Sequence, residues 1–426
     1  MKDSRSLRWW GVITIFLIVA ISYVDRINIA VLITDPAFLA HMGIGRTDRV
    51  SQGLLTTAFL VGYGVSAIVL TPFCSALLGV RRSLIGGLLL WGVVTFLSPH
   101  FHSFGLLVAS RVLLGVSEGP LFSLAGQYIK AYFEARENGK PNAFVNMGTG
   151  LGLAVGYPFI GYLVAGHDWQ TSFHVLGLVN IALGIPLVWA FVRMPQPLAA
   201  AASAAGTAPM AQVGRIVTGA LKTRYLLLLT VMTAAFLSYL WGASSWLPAY
   251  LKEARGFSMR EMGWLASLPQ YATVLGVLLG GVLIDRIARR TVPLIFVVCS
   301  VGVALSVLAA IQITDRYGAA YALVAASLFW GLMSPSFPST VQYCAQAEHV
   351  ASAYGVVNGV GSLVAGFMPA IMGAVISAVG GQGGGSTGAG FFAGFAALIG
   401  TQVVVLVCGL LLWVRERAAL PVPQTA

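Results

Sequence analysis

Four ionisable side chains lie in stretches that are otherwise hydrocarbon. Asp25 and Arg26 are adjacent in "ISYVDRINIA" (21–30), and Arg111 and Glu118 stand seven apart in "RVLLGVSEGP" (111–120). Their charges sum to zero. Arginine grips an oxyanion through two parallel N–H bonds, and a carboxylate in a low-dielectric setting can be neutralised and so carry a proton. Two of each could hold an organic anion and move protons alongside it. The competing reading is a set of static ion pairs that fixes helix packing. Buried pairs stabilise poorly, however, and each charge facing lipid at the bilayer centre would cost about 2.5–3.5 kcal/mol. All four are therefore expected to face an interior cavity.

The elements that must position them are apolar helices. Of 426 residues, 58% are hydrophobic and only 9% charged, against about 25% charged in a soluble domain. Apolar runs recur along the whole chain, which predicts an all-α polytopic membrane protein. Cutting at charge clusters and turn residues gives twelve spans: 9–33, 51–75, 83–99, 104–130, 143–165 and 172–192, then 224–250, 260–284, 291–313, 319–343, 351–378 and 391–414. The run from Trp9 continues through Arg26 with no small-residue cleavage site, so it is expected to be a retained first span rather than a signal peptide.

With both termini cytoplasmic, seventeen Lys/Arg fall on inner segments and six on outer ones. This bias predicts that orientation. It also explains the net charge of +11 as a topology signal and removes nucleic acid as a partner. The bilayer is the surrounding phase.

At about 1.5 Å per residue, Asp25 lies roughly 24 Å along its span from the inner end. Arg111 lies roughly 10 Å, and Glu118 roughly 21 Å, from the outer end of theirs. Asp25, Arg26 and Arg111 are thus expected to share a level in the outer half, with Glu118 deeper. Arg111 and Glu118 are about 20° apart in helical phase, with Gly115 on the same face to leave room.

An internal repeat divides the chain. "PFCSALLGVRR" (72–82) and "GGVLIDRIARR" (280–290) each follow the second span of a six-span half, the mark of duplicated halves. The predicted organisation is a bundle over 1–194, a cytoplasmic linker over 195–222 and a second bundle over 223–426. Arg81, Arg82, Asp285, Arg286, Arg289 and Arg290 form the candidate gating loops, with Ala76 where the second copy has Asp285. Gly148, Gly152 and Gly156 are four apart on one face. No strand precedes them and no Lys-Ser/Thr follows, so they predict close helix packing rather than a phosphate loop.

The four cysteines show no metal-like spacing and are expected to pack as small hydrophobes. The six histidines fall at loops or span ends and are expected to be solvated. No cofactor or metal is indicated. Among the aromatics near the expected cavity, Gln270-Tyr271 in "LPQYATV" and Trp330 in "FWGLMSPSFPS" are the second-half candidates for contact with a solute.

"SYVDRINIA", "RVLLGVSEGP", "AYFEARENGKPNAFVNMGTGLG" (131–152), "DWQTSFHVLG" (168–177) and "WLPAYLKEARGFSMREMGWLASLPQYATVLGVLLGGVLIDR" (246–286) together resemble the anion:cation symporter family of the major facilitator superfamily. The likeness extends over both halves. It implies a major facilitator fold of two six-helix bundles, and proton-driven import of a sugar acid or related organic anion by alternating access in a bacterial inner membrane, by a monomer. It implies that Asp25 and Glu118 couple protons, and that Arg26 and Arg111 with Tyr63, Asn146, Thr149 and Asn358 contact the anion. Thr149 stands where galactonate-type members have glutamine, and Ala76 lacks the usual acid of the first gating loop.

On this reading a proton on Asp25 would release Arg26 from its neighbour to receive the carboxylate. An exporter of drugs or metabolites is the main rival. A membrane enzyme or sensor is disfavoured, because no nucleophile–base pair, metal cluster or output segment is evident.

Overall fold

The computed structural model describes residues 2–32, 35–45, 49–134, 136–194, 209–257, 259–380 and 388–418. Among them, eleven segments are long and apolar enough to cross a membrane. One of these, Leu54–His100, has 47 residues, about 70 Å of helix against a hydrocarbon core of about 30 Å. It must cross twice. The direction changes at Gly79, whose φ of 74° is one that side-chain-bearing residues rarely adopt. Counted so, the crossings are twelve, as the hydropathy pattern predicts.

The first six crossings are α1 (Lys2–Leu32), α3 (Arg49–Phe73), α4 (Gly79–Leu97), α5 (Phe104–Glu118) continued by α6 (Leu121–Tyr132), α7 (Gly139–Gly166), and α8 (Trp169–Val179) continued by α9 (Ile185–Phe191). The last six are α11 (Leu226–Ala249), α12 (Met259–Arg286), α13 (Pro293–Gln312), α14 (Arg316–Met333) with α15 (Ser336–Cys344), α16 (Val350–Ala365) with α17 (Met368–Gly380), and α18 (Gly388–Ala418). Pro120 and Pro335 stand at the α5/α6 and α14/α15 breaks, where a ring without an N–H interrupts the helical ladder.

Two helices are not spans. α2 (Pro36–Met42) starts at Asp35, whose carboxylate accepts from the Ala37 and Phe38 amides, and ends at Gly43 in the left-handed region. Its Phe38, Leu39 and Met42 pack with Ile29, Leu32, Leu55, Leu107, Trp169 and Phe173, forming an apolar plug over one end of the first-half helices. α10 (Pro209–Leu221) lies inside the stretch expected to be a cytoplasmic linker. Its Val213, Ile216 and Val217 rest on Phe73, Ala76 and Leu77, while its Gly219 abuts His349 at the start of α16. Residues 195–208 lie outside the described residues, as do 381–387 of the glycine-rich connection.

Glycine sets the helix spacing, as its four-residue period predicts. Gly148 and Gly152 of α7 meet the Phe16 and Ala20 carbonyls of α1, and Gly156 meets Val24. Gly115 of α5 sits directly on the α3 backbone at Phe59 and Tyr63, so the room it leaves belongs to a neighbouring helix. Gly115→Ala would push a methyl into a carbonyl that cannot yield, an overpacking cost of about 1–3 kcal/mol. The expected outcome is a lower melting temperature of the detergent-purified protein, read by a thermal scan.

Between the first and last six crossings, α3 packs along α16 and α7 along α12. Both seams are close because backbone meets backbone. Gly355 and Gly359 touch the Ala67 and Gly64 carbonyls, and Gly139 and Gly281 touch each other's strand of chain.

Candidate functional site

Arg26 leaves α1 toward α5. Its Nε and a terminal nitrogen donate to the same Glu118 oxygen, Oε2, at 3.1 and 2.9 Å. Three aromatic rings surround the guanidinium: Tyr23 at 4.3 Å, Phe59 at 4.9 Å and Tyr63 at 4.9 Å. Each such contact is worth about 0.5–2 kcal/mol when water is excluded. Glu118 is fully buried and its second oxygen, Oε1, has no hydrogen-bond partner among the described residues.

Tyr63 extends the site toward the second half, since its hydroxyl accepts from Asn358 Nδ2 at 2.8 Å. Sequence separation is no obstacle here, because α3 lies along α16.

Asp25 does not pair with its sequence neighbour. Successive helical residues are about 100° apart around the axis, and Asp25 points away from Arg26 toward α4 and the turn after α8. Trp91 Nε1 and Asn180 Nδ2 both donate to Asp25 Oδ2, at 2.5 and 2.7 Å. Arg111 is buried, with Phe173 under its guanidinium at 5.8 Å. The expectation that protonating Asp25 frees Arg26 is therefore corrected: the acid holding Arg26 is Glu118.

The polar residues of α7 and the second half divide. Asn146 donates to the Asn142 carbonyl and its Oδ1 receives the Ser334 hydroxyl across the seam at 3.5 Å. Thr149 spends its hydroxyl on its own helix, donating to the Asn146 carbonyl at 2.7 Å. Gln270 is half-buried opposite Gly150. Trp330 stacks on Phe236 at 4.2 Å and donates to the Phe236 carbonyl, which makes it part of the second-half core.

Tyr271 is 58% exposed on the outer surface of α12, so its expected contact with the solute is corrected. A residue one step from Gln270 must face another way. Tyr271→Leu is expected to leave uptake within about twofold, the usual range for a surface change, as measured by radiolabelled solute accumulation.

The arrangement has the chemistry of a carrier: caged cation, partner acid and a bond to the opposite half, deep among helices. The profile of the Major Facilitator Superfamily matches residues 15–369. The chain belongs to that superfamily. It is a multi-pass membrane protein. Among its relatives, a probable sulfoacetate transporter of Cupriavidus necator is 32% identical over 282 residues, covering 64% of this chain and 63% of that protein. A probable galactarate/D-glucarate transporter of Bacillus subtilis is 26% identical over 319 residues, covering 68% of each. The chain thus aligns with just under two thirds of the sulfoacetate protein's length. In fold it resembles the crystal structure of the human organic anion transporter MFSD10, with a TM-score of 0.73 at 15% identity over 94% of this chain and 99% of that one.

In this superfamily member the candidate gating residues separate into two sets. Asp285 accepts from the Gly139 and Lys140 amides at 2.8 and 3.2 Å, capping the start of α7. Arg289 donates to Ser339 Oγ at 2.6 Å and to Asn138 Oδ1 at 2.5 Å. Arg81 instead lies over Trp189, and Arg82, Arg286 and Arg290 are exposed. These four do not join the seam in this conformation.

Sequence reasoning missed the rest of the seam. Gln342 Oε1 accepts from Asn138 and Asn142 at 2.9 and 2.8 Å, and the Gln342 carbonyl accepts from Lys130 at 2.7 Å. The signal was a run of neutral amides at one end of the spans, which a search for charges passes over. Trp91 and Asn180 were missed for the same reason.

Proposed function

We propose that the chain imports a small organic anion, a carboxylate or sulfonate, together with protons, by alternating access of its halves 1–194 and 223–426. The observation that carries this reading is Arg26, caged by aromatic rings, held by one buried acid and adjoining Tyr63, which is bonded to the other half. A guanidinium is suited to either oxyanion. The names of the two relatives above both denote acids, which supports the same class.

Glu118 occupies Arg26 when ionised. A proton on Glu118 removes the charge attraction and frees the guanidinium for the incoming anion. The loaded site is then close to neutral, and the halves can rock without moving a bare charge through a dry path. Loss of the proton on the other side returns Arg26 to Glu118 and expels the anion. Asp25 is the second acid of the cycle, with Arg111 beside it. Asn146, Gln270 and Asn358 supply amide contacts, and Thr149 supplies its hydroxyl only where that group turns away from the Asn146 carbonyl. Asp285 and Arg289 close the inner seam, with Arg81, Arg82, Arg286 and Arg290 available to it when the loops move. The inner bias of Lys and Arg supports cytoplasmic termini in a bacterial inner membrane, and a monomer suffices because each chain holds a whole site.

Two protons per monovalent anion would add the membrane potential, about 2.3 kcal/mol per 100 mV, to about 1.4 kcal/mol per pH unit per proton. The deciding experiment acidifies the outside of proteoliposomes or cells loaded with labelled organic acid. Solute should accumulate inside; its expulsion would overturn the import reading. A thermal-shift screen against sulfonates, aldonates, aldarates, hexuronates and aromatic carboxylates identifies the anion.

A further inference from the structure

A second group of buried polar atoms lies inside the first-half bundle, apart from the Arg26 site. Asp25 and Asn28 are three residues apart on α1 and so share a face. Trp91 and Thr95 are four apart on α4 and do the same. Asn180 meets Asp25 from the turn after α8, and Arg111 comes from α5. Asp25, Asn28, Thr95, Asn180 and Arg111 are each no more than 3% exposed. Yet Asp25 Oδ1, both amide atoms of Asn28, Thr95 Oγ1, Asn180 Oδ1 and Arg111 Nε have no hydrogen-bond partner among the described residues.

Unpaired and dry, these atoms would be costly, at about 1–3 kcal/mol each. Clustered polar groups with spare donors and acceptors are what buried water requires, two to four partners apiece. The bonding at Asp25 is also lopsided. Trp91 and Asn180 both occupy Oδ2, which leaves Oδ1 as the oxygen open to a proton. A proton there would have to be donated onward, and Asn28 Oδ1 one turn along α1, Thr95 Oγ1 one turn beyond Trp91 and Asn180 Oδ1 are buried acceptors without a partner among the described residues.

The group lies near one end of the bundle. α4 ends at Leu97, two residues past Thr95, and the turn Ser98–His100 that follows brings the exposed His100 ring to 5.9 Å from the His174 ring. The His41 ring likewise lies 4.9 Å from His102. These histidines form a polar rim at that end of α4 and α8.

We propose that Asn28, Thr95 and Asn180 hold a short file of water that carries protons from the His100/His174 rim to Asp25 Oδ1, separately from the path of the anion. The inference rests on the reading of Asp25 as a proton-carrying acid. The charged groups facing the file are Asp25, Arg111 and, on the far side of α1, Arg26. Thr95 and Asn28 are positioning residues, since they touch neither anion nor proton donor directly in the Arg26 site.

The test uses the full chain in proteoliposomes with pyranine trapped inside. Thr95→Val keeps the shape and removes the hydroxyl, whereas Thr95→Ser keeps the hydroxyl. Thr95→Val should lower anion-driven proton entry and uphill uptake about tenfold, the factor that one lost hydrogen bond commands. Anion exchange should stay near wild type, and Thr95→Ser should behave like wild type in all three. Wild-type proton entry in Thr95→Val, or equal loss in Thr95→Ser and Thr95→Val, overturns the file. Asp25→Asn separates the two ideas. If it loses uphill uptake while Thr95→Val does not, only the route is wrong; if it retains uphill uptake, the role given to Asp25 fails and the route with it.

Discussion

Arg26→Ala is expected to abolish saturable binding and transport of the anion. Truncating one member of a buried hydrogen-bonded charge pair costs about 3 kcal/mol or more, roughly a hundredfold in affinity. The substitution also strands Glu118, a fully buried carboxylate whose hydrogen bonds among the described residues all come from Arg26. Arg26→Lys restores the charge but not the forked donors or the flat face against Tyr23, Phe59 and Tyr63, so it should recover only part of the loss. Isothermal titration with the anion found in the thermal screen measures both. Wild-type affinity in Arg26→Ala would remove this residue from the site. A well-folded variant is verified by its retained far-UV spectrum and monodisperse elution.

Glu118→Gln is expected to uncouple the carrier. The amide cannot take up or release a proton, and its neutral oxygen no longer holds Arg26 by charge. Arg26 is then permanently available, so anion-for-anion exchange persists while accumulation driven by a pH gradient falls to the level of equilibration. At one pH unit that driving force is about 1.4 kcal/mol, a tenfold concentration ratio per proton. Uphill uptake at the wild-type level in Glu118→Gln would sink the scheme. Because Arg26 pairs with Glu118, and Asp25 with Trp91 and Asn180, the Glu118 variant should change anion handling more than Asp25→Asn does.

Much of this was legible in the chain. Apolar run lengths gave the crossings, the glycine period at 148–156 marked a close helix contact without naming its partner, and zero net charge among four buried ionisable residues signalled that they answer one another. Which acid answers which arginine was not legible from adjacency. Asp25 and Arg26 touch in sequence, but a helix turns them to opposite tasks, and the Arg26 partner comes from a helix 92 residues away. The short α2 left traces in Asp35-Pro36 and Gly43, a cap, a first-turn proline and a left-handed stop, that a search for membrane spans overlooks. α10 was hidden by its Ala- and Pro-rich neighbourhood, although Val213, Ile216, Val217 and Ala220 mark one helical face. Tyr271 shows the opposite error: residue type suggested a site and helical phase excluded it.

The two seams at the basic end of the bundle are built from different materials. One is a clamp of hydrogen bonds from Asp285 to the start of α7. At the other, Ala76 lies beneath the hydrocarbon face of α10. Apolar contacts weaken on cooling and carry a large heat-capacity change, which hydrogen-bonded clamps lack. The equilibrium between the two faces of the carrier therefore bends with temperature on one side only. An Arrhenius plot of its turnover should curve, and replacing Val213 and Ile216 by polar residues should straighten it.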